Sequence, residues 1–314
     1  MAANRPDTPM IIQADAVSKH FGDRLAVDHL SLTVPPGVCF GLLGPNGAGK
    51  TTTLRMIYGV TRPTSGMIRV FGIDIARNPR AVRRRLGVTL QQNVVIEALS
   101  SVDNLRVFGR YHLLRDPELS RRVDELIDFL ELRSHAHVPV RQLSGGFQRR
   151  LAIALSLMNQ PELLILDEPT TGLDPAVRMA LWSKVRDLRA AGTTVLLTTH
   201  YMDEAQRLCD RVAIVTNGKV ITEGAPLDLI TQRLSPETVE LDCTSEEEAT
   251  LLRSIPSQTH RLRAGGRLML YLDDPTALVS AIHARGDRCN LIVRPTNLED
   301  VFLAMTGTRL EGGA

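Results

Sequence analysis

The sequence has 314 residues, which is longer than one average domain and suits a large domain followed by a small one. Hydrophobic residues make up 43% and charged residues 23%, as in a globular protein with a substantial core. Lysine and arginine (37) nearly balance aspartate and glutamate (35), so the net charge of +2 gives no reason to expect a nucleic-acid partner. The short arginine runs at 83–85 and 149–150 are interpreted as solvated faces.

The cysteines and the distribution of apolar residues limit where in the cell the protein can be located. The four cysteines, at positions 39, 209, 243 and 289, match no zinc or disulfide spacing and indicate a reducing cytosol. The N-terminus lacks a long apolar core, so we expect no signal peptide. No run approaches the roughly 18 to 20 apolar residues that a membrane-spanning helix needs. Any role at a membrane, such as a peripheral position on its cytoplasmic side, would therefore have to come through a partner.

The first part of the chain has β-type patterns followed by a glycine-rich loop. Residues 10–18 and 25–34 are predicted strands, and Pro35-Pro36-Gly37 turns the chain into an apolar strand at 38–43. A loop rich in glycine follows, and then a predicted helix from about 49 to 58. A phosphate-binding loop requires this order of strand, loop and helix.

The middle of the chain alternates between helices and buried strands. Residues from about 92 to 160 have helical character and form a predicted helical subdomain. Strands are predicted at 163–166, 194–198 and 212–216, with a helix at 176–191 between the first two. Wholly apolar strands separated by helices indicate a parallel sheet covered on both faces. Asn217-Gly218 predicts a hairpin turn.

The pattern changes after about residue 235. Strands are predicted at 238–243 and 290–294, a hairpin around Gly265-Gly266 at 259–271, and helices at 246–254, 276–285 and 298–305. The order βαββαβ predicts a small ferredoxin-like α+β domain. We therefore expect one domain at 10–234 and an accessory domain at 235–314.

A complete phosphate-loop pattern, G-x-x-x-x-G-K-[ST], begins at Gly44. Its glycines let backbone N–H groups approach phosphate oxygens, and the following helix adds its positive N-terminal end. Lys50 places a charge on the β- and γ-phosphates, and Thr51 offers a hydroxyl to Mg²⁺. The predicted nucleotide-binding residues here are Gly44, Pro45, Asn46, Gly47, Ala48, Gly49, Lys50, Thr51 and Thr52.

Two carboxylates end the apolar strand at 163–166. The carboxyl end of a central parallel strand faces the ligand crevice, where Asp167 is suited to hold Mg²⁺. Glu168 is suited to orient or deprotonate an attacking water molecule. A further segment, Leu143-Ser144-Gly145-Gly146, precedes a long predicted helix, and its serine has N-cap chemistry. An ordinary capped helix explains that segment equally well on local evidence.

Taken in order, the loop at 44–51, LSGG at 143–146, LILDEPTTGLDP at 164–175 and His200 resemble the ATPases of the ABC transporter family. The resemblance covers about residues 10 to 230. It implies an α/β fold, a P-loop NTPase of the ABC ATPase type with a mixed sheet core and a helical subdomain, beside the small α+β domain. It also implies ATP and Mg²⁺ as ligands and a head-to-tail homodimer.

The resemblance assigns further roles to single residues. Ser144, Gly145 and Gly146 would bind the γ-phosphate held by the opposite subunit, and Asp174 would cross the dimer interface. Gln91, with Gln92 as a neighbouring alternative, matches the glutamine that links Mg²⁺ and the attacking water to the membrane partner. His200 would contact the γ-phosphate and support Glu168. Phe21 stands where an adenine-stacking aromatic residue, usually tyrosine, is found.

The segments 86–115 and THYMDEAQRLCDRVAIV, with the tail Asn297-Leu298-Glu299-Asp300-Val301-Phe302, resemble a narrower group. This group comprises the daunorubicin-type drug-resistance exporters and the nodulation-factor, or lipo-oligosaccharide, exporters. The resemblance implies a separate membrane permease. Alternatives are a non-transport ABC ATPase of repair or translation, and an import ATPase. Candidates for a groove that receives the permease are Val94, Val95, Ile96, Leu99, Val102, Leu105 and Phe108.

Overall fold

In the computed structural model, the described residues are 9–243, 248, 259–264, 266–284 and 290–306. The chain divides into two compact units, one ending at Thr222 and the other beginning at Glu223. The expected boundary lay at 234/235. The division falls earlier because helix α8 (Pro226–Arg233) packs against the last helix, α10 (Leu298–Thr306). None of the helices in the described part is long and apolar enough to cross a membrane.

The first unit begins with an antiparallel sheet. Its strands are β1 (Ile12–Phe21), β2 (Arg24–Val34), β4 (Ser65–Val70) and β5 (Ile73–Asp74), in the order β2-β1-β4-β5. Ile12 lies opposite both Val34 and Val70, so the apolar side chains of three strands share one face. That face joins the main hydrophobic core of the unit.

A second sheet has six strands in the order β10-β9-β3-β8-β7-β6. These are β3 (Cys39–Leu43), β6 (Leu86–Thr89), β7 (Leu163–Asp167), β8 (Thr194–Thr199), β9 (Arg211–Thr216) and β10 (Lys219–Gly224). The paired strands β6, β7, β8, β3 and β9 are parallel. Strands β3, β7 and β8 are buried throughout, as expected for a sheet covered on both faces. The carboxyl ends of β3, β6, β7 and β8 therefore meet along one edge.

The helices of the first unit surround this sheet. They are α1 (Lys50–Ile57), α2 (Pro79–Arg83), α3 (Ser101–Tyr111), α4 (Glu118–Phe129), α5 (Gly145–Ser156), α6 (Pro175–Ala190) and α7 (Met202–Leu208). Helix α3 packs against α4 and α5 within the predicted helical span. Residues 91–100 are turns and irregular backbone instead, because the helix begins only where Ser100 caps it through a bond from Asp103 N.

The turn at Asn217-Gly218 connects β9 and β10 as the sequence predicts. Asn217 has a φ of 51° and Gly218 a φ of 77°, and two positive φ angles define the hairpin turn that this dipeptide favours.

Two of the cysteines are in contact, which their spacing in the sequence does not indicate. Cys39 on β3 and Cys209 at the end of α7 are buried free thiols whose Sγ atoms lie 4.0 Å apart.

The second unit contains an antiparallel sheet in the order β12-β13-β11-β14. Its elements are β11 (Glu237–Asp242), β12 (His260–Ala264), β13 (Arg267–Leu272), α9 (Thr276–Ala284), β14 (Leu291–Pro295) and α10. The first strand thus lies between the third and the fourth, as in a ferredoxin-like sheet. The helix predicted at 246–254 and part of the turn at Gly265-Gly266 lie outside the described residues.

Candidate functional site

The glycine loop lies between the end of β3 and the start of α1. Gly44 has a φ of 154°, and a Cβ there would lie 2.1 Å from the carbonyl oxygen of Val215. Gly49, the N-cap of α1, has a φ of 101°, and a Cβ there would lie 2.5 Å from the carbonyl oxygen of Ala26. Only glycine fits these positions. The loop therefore presents bare backbone and a helix N-terminus to the same space, which suits an anion.

Lys50 is buried inside this loop. Its ammonium Nζ donates to the carbonyl oxygen of Gly44 at 2.7 Å and to that of Pro45 at 3.1 Å. Burial lowers the pKa of Lys50, and the negative charges of Glu168 and Asp167 oppose that shift. The Lys50 ammonium thus donates to neutral carbonyl oxygens of its own loop, with the Glu168 carboxylate 3.7 Å away. Phosphate oxygens in the loop would be stronger acceptors than these carbonyl oxygens.

Asp167 ends β7 next to the loop. Its Oδ1 accepts a hydrogen bond from Thr198 Oγ1 at 2.5 Å and another from Thr51 Oγ1 at 3.3 Å. The side chain is 3% exposed. Carboxylate and hydroxyl oxygens are the ligand types that Mg²⁺ prefers. Among the described residues, no group of three or more His, Cys, Asp or Glu side chains could hold a metal ion. A cation here would therefore need phosphate or water oxygens as well.

The carboxylate of Glu168 lies in contact with most of the polar side chains of the site. Its Oε2 accepts from Gln91 Nε2 at 3.3 Å and from Thr171 Oγ1 at 3.2 Å. Its Oε1 lies 3.7 Å from Lys50 Nζ and 3.4 Å from His200 Nδ1. The backbone at Glu168 has a φ of 47°, and its N–H donates to the carbonyl oxygen of Thr198 at 3.1 Å. The edge of the sheet thus fixes one carboxylate between an amide, a hydroxyl and two basic groups.

His200 and the two glutamines contribute to this cluster unequally. His200 directly follows β8, and its Nδ1 faces Glu168 without hydrogen-bond geometry while the ring packs against Tyr201 at 4.2 Å. Both glutamines are exposed, but the side chain of Gln91 bonds to Glu168, and the described contacts include no such bond from Gln92. The geometry therefore favours Gln91 over Gln92 as the glutamine of the site.

The other predicted residues lie on exposed surfaces. Ser144 caps α5, where its Oγ accepts from Phe147 N at 3.4 Å, and both Ser144 and Gly145 are exposed. No hydrogen bond joins Ser144, Gly145 or Gly146 to the glycine loop in the described part of this chain. Asp174, at the N-cap of α6, is exposed as well. Phe21, at the end of β1, is 51% exposed, and Lys19 Nζ lies 5.0 Å above its ring.

The remaining loop residues divide between surface and interior. Asn46 and Gly47 are exposed at the tip of the loop, Pro45 and Thr52 are half-buried, and Ala48 is buried. The single chain therefore brings together the residues of the loop, β7, β8 and residue 91. It leaves the serine–glycine segment and Asp174 facing solvent.

The interpretation of the arginine pair at 149–150 as a solvated face is wrong for Arg149, which is 5% exposed. Its guanidinium reaches under the site and donates to the carbonyl oxygens of Asp167 and Glu168. A signal was available in the sequence. Arg149, Ala152, Ile153 and Ser156 recur at the spacing of one helix face, and all are buried.

The glycine loop before a helix, with paired carboxylates at the end of a neighbouring parallel strand, defines a P-loop nucleotide-hydrolysing domain. The sequence model of the family described as "ABC transporter" matches residues 27–171. The model of "Nodulation factor export protein NodI, C-terminal domain" matches residues 248–307. The two matches fall in the two halves of the chain that the sequence patterns distinguish.

Curated relatives match nearly the whole chain. A protein of Cupriavidus metallidurans named "Nod factor export ATP-binding protein I" is 44% identical over 301 residues, 96% of this chain and 98% of the relative. A protein of the same name from Sinorhizobium fredii is 43% identical over 309 residues, 98% of this chain and 89% of the relative.

Solved structures match about two thirds of the chain or slightly more. An ATP-binding subunit of an ABC transporter, 29% identical, has a TM-score of 0.65 and covers 71% of this chain and 92% of its own. A dimeric ATP-binding cassette in a post-hydrolysis state, with bound ADP and Pi, is 27% identical with a TM-score of 0.63; the match covers 68% of this chain and 98% of that one.

The chain belongs to the ABC transporter ATP-binding proteins. It is the ATP-hydrolysing subunit of an exporter of this family. The four motifs predicted the ATPase, and the segments 86–115, THYMDEAQRLCDRVAIV and 297–302 predicted the exporter. These relatives fit the exporter interpretation and not the repair, translation or import alternatives.

Proposed function

We propose that two copies of this chain hydrolyse MgATP in a head-to-tail homodimer and power the export of a lipo-oligosaccharide-type substrate through a separate permease. The near full-length similarity to proteins named for Nod factor export carries the choice of substrate class. The alternative cargo is a drug-like molecule. The chain would then work at the cytoplasmic face of the membrane, bound to the permease.

The contacts of Glu168 support its role in hydrolysis. A carboxylate next to the phosphate loop can orient a water molecule and accept its proton. The bonds from Gln91 and Thr171 to Oε2 would hold the carboxylate in place. Lys50 would release the carbonyl oxygens of Gly44 and Pro45 and donate to the β- and γ-phosphates instead. His200, whose Nδ1 lies 3.4 Å from Glu168 Oε1, would support that carboxylate and contact the γ-phosphate.

The residues present fit Mg²⁺. Thr51 Oγ1 and Asp167 Oδ1 are hard oxygen ligands 3.3 Å apart, and the amide of Gln91 reaches the same cluster through Glu168. Thr51 would hold the ion directly, and Asp167 would hold it through water. Gln91 would link the ion and the attacking water to the membrane permease. The cation would neutralise charge on the phosphates when bound. Thr198 keeps Asp167 oriented toward Thr51.

The exposure of Ser144, Gly145 and Asp174 supports the homodimer. A helix N-terminus with bare backbone attracts an anion, and α5 offers one with no acidic residue in its first turn. If this segment binds the γ-phosphate held by the other copy, each ATP is enclosed by two chains. The related cassette solved as a dimer with ADP and Pi has the same fold.

A cavity of about 340 Å³ supports the permease partner. It lies between the sheet and the helical segment, and its lining includes Leu90, Val94, Phe108 and Leu155. Val94 is 58% exposed, whereas Leu105 is fully buried and serves the interior. Leu90 directly precedes Gln91, so a helix of the permease seated in this cavity would lie one residue from the catalytic cluster.

Replacement of Glu168 with glutamine tests the mechanism. The variant should bind ATP, lose hydrolysis and accumulate as a dimer in size-exclusion chromatography with saturating MgATP. Asp174→Ala in the same background should weaken that dimer. A Glu168→Gln protein that stays monomeric with ATP, or one that hydrolyses at the wild-type rate, would contradict the composite site.

Reconstitution tests the substrate class. The chain and its permease, purified together and placed in vesicles, should show ATPase stimulation by lipo-oligosaccharides and transport of them. Glu168→Gln is the control without hydrolysis. Stimulation by drug-like amphiphiles alone would favour the alternative cargo, and a chain that never purifies with a membrane protein would contradict the permease partner.

A further inference from the structure

Arg149 is a buried cation behind the catalytic cluster. It lies in the second turn of α5, five residues after Ser144, and is 5% exposed. Within the described part of the chain, every hydrogen-bond acceptor of its guanidinium is a neutral oxygen. Burial lowers the pKa of Arg149 to about 10, although the charges of Asp167, Glu204 and Glu168 oppose the shift. Placing a cation here is unfavourable for folding unless its hydrogen bonds are well formed.

One edge of the guanidinium binds the turn that follows β7. Nη2 donates to the carbonyl oxygen of Asp167 at 2.9 Å and to that of Glu168 at 3.0 Å. Nε donates to the carbonyl oxygen of Pro169 at 2.8 Å. Three successive carbonyl groups therefore point at one side chain, and this turn is where Glu168 adopts its left-handed backbone. The bonds stabilise a conformation that an ordinary residue avoids.

The other edge binds the segment that follows β6. Nη1 donates to the carbonyl oxygen of Leu90 at 2.5 Å, to Oδ1 of Asn93 at 3.1 Å and to the carbonyl oxygen of Gln91 at 3.3 Å. This segment is irregular and has no strand partner of its own beyond Thr89. Its position therefore depends on side-chain bonds of this kind.

We propose that Arg149 is a positioning residue for ATP hydrolysis. It fixes the backbones of Glu168 and Gln91 relative to each other and ties both to the helix that begins at Ser144. A rotation of α5 against the sheet would move the guanidinium of Arg149. Because that group bonds both backbones, the contact between Gln91 and Glu168 would change with it. This proposal rests on the catalytic roles given above to Glu168 and Gln91.

The planar fork is what the geometry requires. A guanidinium reaches two backbone segments at once in fixed directions, whereas a lysine ammonium is a point charge on a flexible stem. Arg149→Lys should lower kcat about 10- to 100-fold, as for a small misplacement of catalytic groups, while KM for ATP changes less than about threefold. A buried lysine also loses its proton more easily than arginine. Its residual activity should fall as the pH rises above about 8, where the wild type keeps its rate.

Arg150 provides the matched control. It follows in the same helix, but its guanidinium donates to the carbonyl oxygens of Leu130 and Glu131 and stacks on Phe147, all outside the catalytic cluster. Arg150→Lys should keep kcat within about twofold of the wild type. Emission of Trp182, the one tryptophan of the sequence, reports whether each variant is folded. Arg149→Gln, which keeps an amide donor, replaces Arg149→Lys if the latter unfolds.

The outcomes separate this inference from the proposed function. Glu168→Gln is assayed beside the other variants. If Glu168→Gln is inactive and folded Arg149→Lys matches Arg150→Lys in kcat and in pH profile, the positioning role is overturned. It is also overturned if Arg149→Lys changes KM as much as kcat. If Glu168→Gln retains hydrolysis, the proposed catalytic role itself fails.

Discussion

The ammonium of Lys50 lies 2.7 Å from the carbonyl oxygen of Gly44, six residues earlier in the same loop. Both groups belong to the element that a triphosphate would occupy. The lysine is thus held within the loop by the backbone that it must leave when phosphate oxygens arrive. Exchange of a neutral acceptor for an anionic one strengthens the bond and helps drive nucleotide binding.

Lys50→Met should weaken ATP binding by roughly 10- to 100-fold, because hydrogen bonds to charged groups contribute about 1.5 to 3 kcal/mol. Isothermal titration with ATP in the presence of Mg²⁺ measures the effect. Lys184→Met on α6, which removes the ion pair of Lys184 with Glu131, serves as the control and should bind ATP normally. Unchanged affinity in Lys50→Met would refute the placement of the triphosphate.

Phe21 is expected to stack on the adenine base. Phe21→Ala should raise KM for ATP about 5- to 100-fold, since stacking of a base on an aromatic ring contributes about 1 to 3 kcal/mol. Phe21→Tyr should keep KM near the wild-type value. The control is Leu25→Ala, which removes an exposed apolar side chain, 41% exposed, from the adjacent strand. Equal KM values for Phe21→Ala and Leu25→Ala would exclude stacking.

Glu204 on α7 should make stability depend on pH. Its side chain is fully buried and accepts a bond from Trp182 Nε1 at 3.0 Å. Burial raises the pKa of Glu204 above its ordinary 4.5, and the bond from Trp182 opposes this rise. The folded state therefore keeps a proton that the unfolded chain releases, so this contribution to the free energy of unfolding falls from about pH 4.5 up to the raised pKa.

Glu204→Gln keeps an acceptor for Trp182 and removes the titration. Denaturant unfolding followed by Trp182 emission should give a flatter pH dependence for this variant, and a free energy of unfolding at about pH 8 equal to or above that of the wild type. Asp203→Asn removes an exposed neighbouring carboxylate that contributes less than burial to the raised pKa of Glu204, so it should leave most of the wild-type slope. A slope that survives in Glu204→Gln would show that another group titrates.

Asp300 should be decisive for the stability of the second unit. Its carboxylate is fully buried and accepts from Arg294 Nη1 and Nη2 at 2.7 and 2.8 Å, from Tyr271 Oη at 3.3 Å and from Asn297 N at 2.8 Å. Burial raises the pKa of Tyr271, and the Asp300 carboxylate adds to that rise and holds the pKa of Arg294 above its usual range.

Asp300→Asn should destabilise that unit by about 1 to 3 kcal/mol, because it removes the negatively charged acceptor of two Arg294 hydrogen bonds. Arg294 keeps the hydrogen bond from its Nε to Glu240 Oε1 at 2.7 Å, so its charge stays partly compensated. Limited proteolysis mapped by mass spectrometry should show faster cleavage after residue 223, with the first unit unaffected. Glu299→Gln changes an exposed neighbour and should cleave at the wild-type rate. Equal cleavage of the two variants would contradict a stabilising role for the Asp300 network.

Local chemistry explains which features were predictable. The apolar strands at 163–166 and 194–198, the turn at Asn217-Gly218 and the glycine loop each follow from residue preferences within a few positions, and the structure has them. The strand order of the sheet in the second unit also agrees with the βαββαβ pattern of that part of the chain. The clustering of Lys50, Asp167 and Glu168 follows from parallel strands whose carboxyl ends share an edge.

Features set by distant packing were missed. Arg149 looks like half of a surface charge pair until its helix face is traced, and its acceptors lie in two other segments. The Cys39–Cys209 contact joins residues that only the pairing of β3 with β9 brings together. Residues 91–100 carry no local signal that separates a helix from irregular backbone. Their course depends on bonds such as that from Ile96 N to Asn104.

The left-handed backbone at Glu168 has a consequence for how this lineage can change. Glycine, asparagine and aspartate tolerate that conformation, whereas valine, isoleucine and threonine are strained there. Related chains that lose ATP hydrolysis but keep this fold should therefore retain the left-handed backbone at position 168. The residue at that position should then be one of the few types that tolerate this conformation. The backbone conformation at position 168 would thus be retained after ATP hydrolysis had been lost.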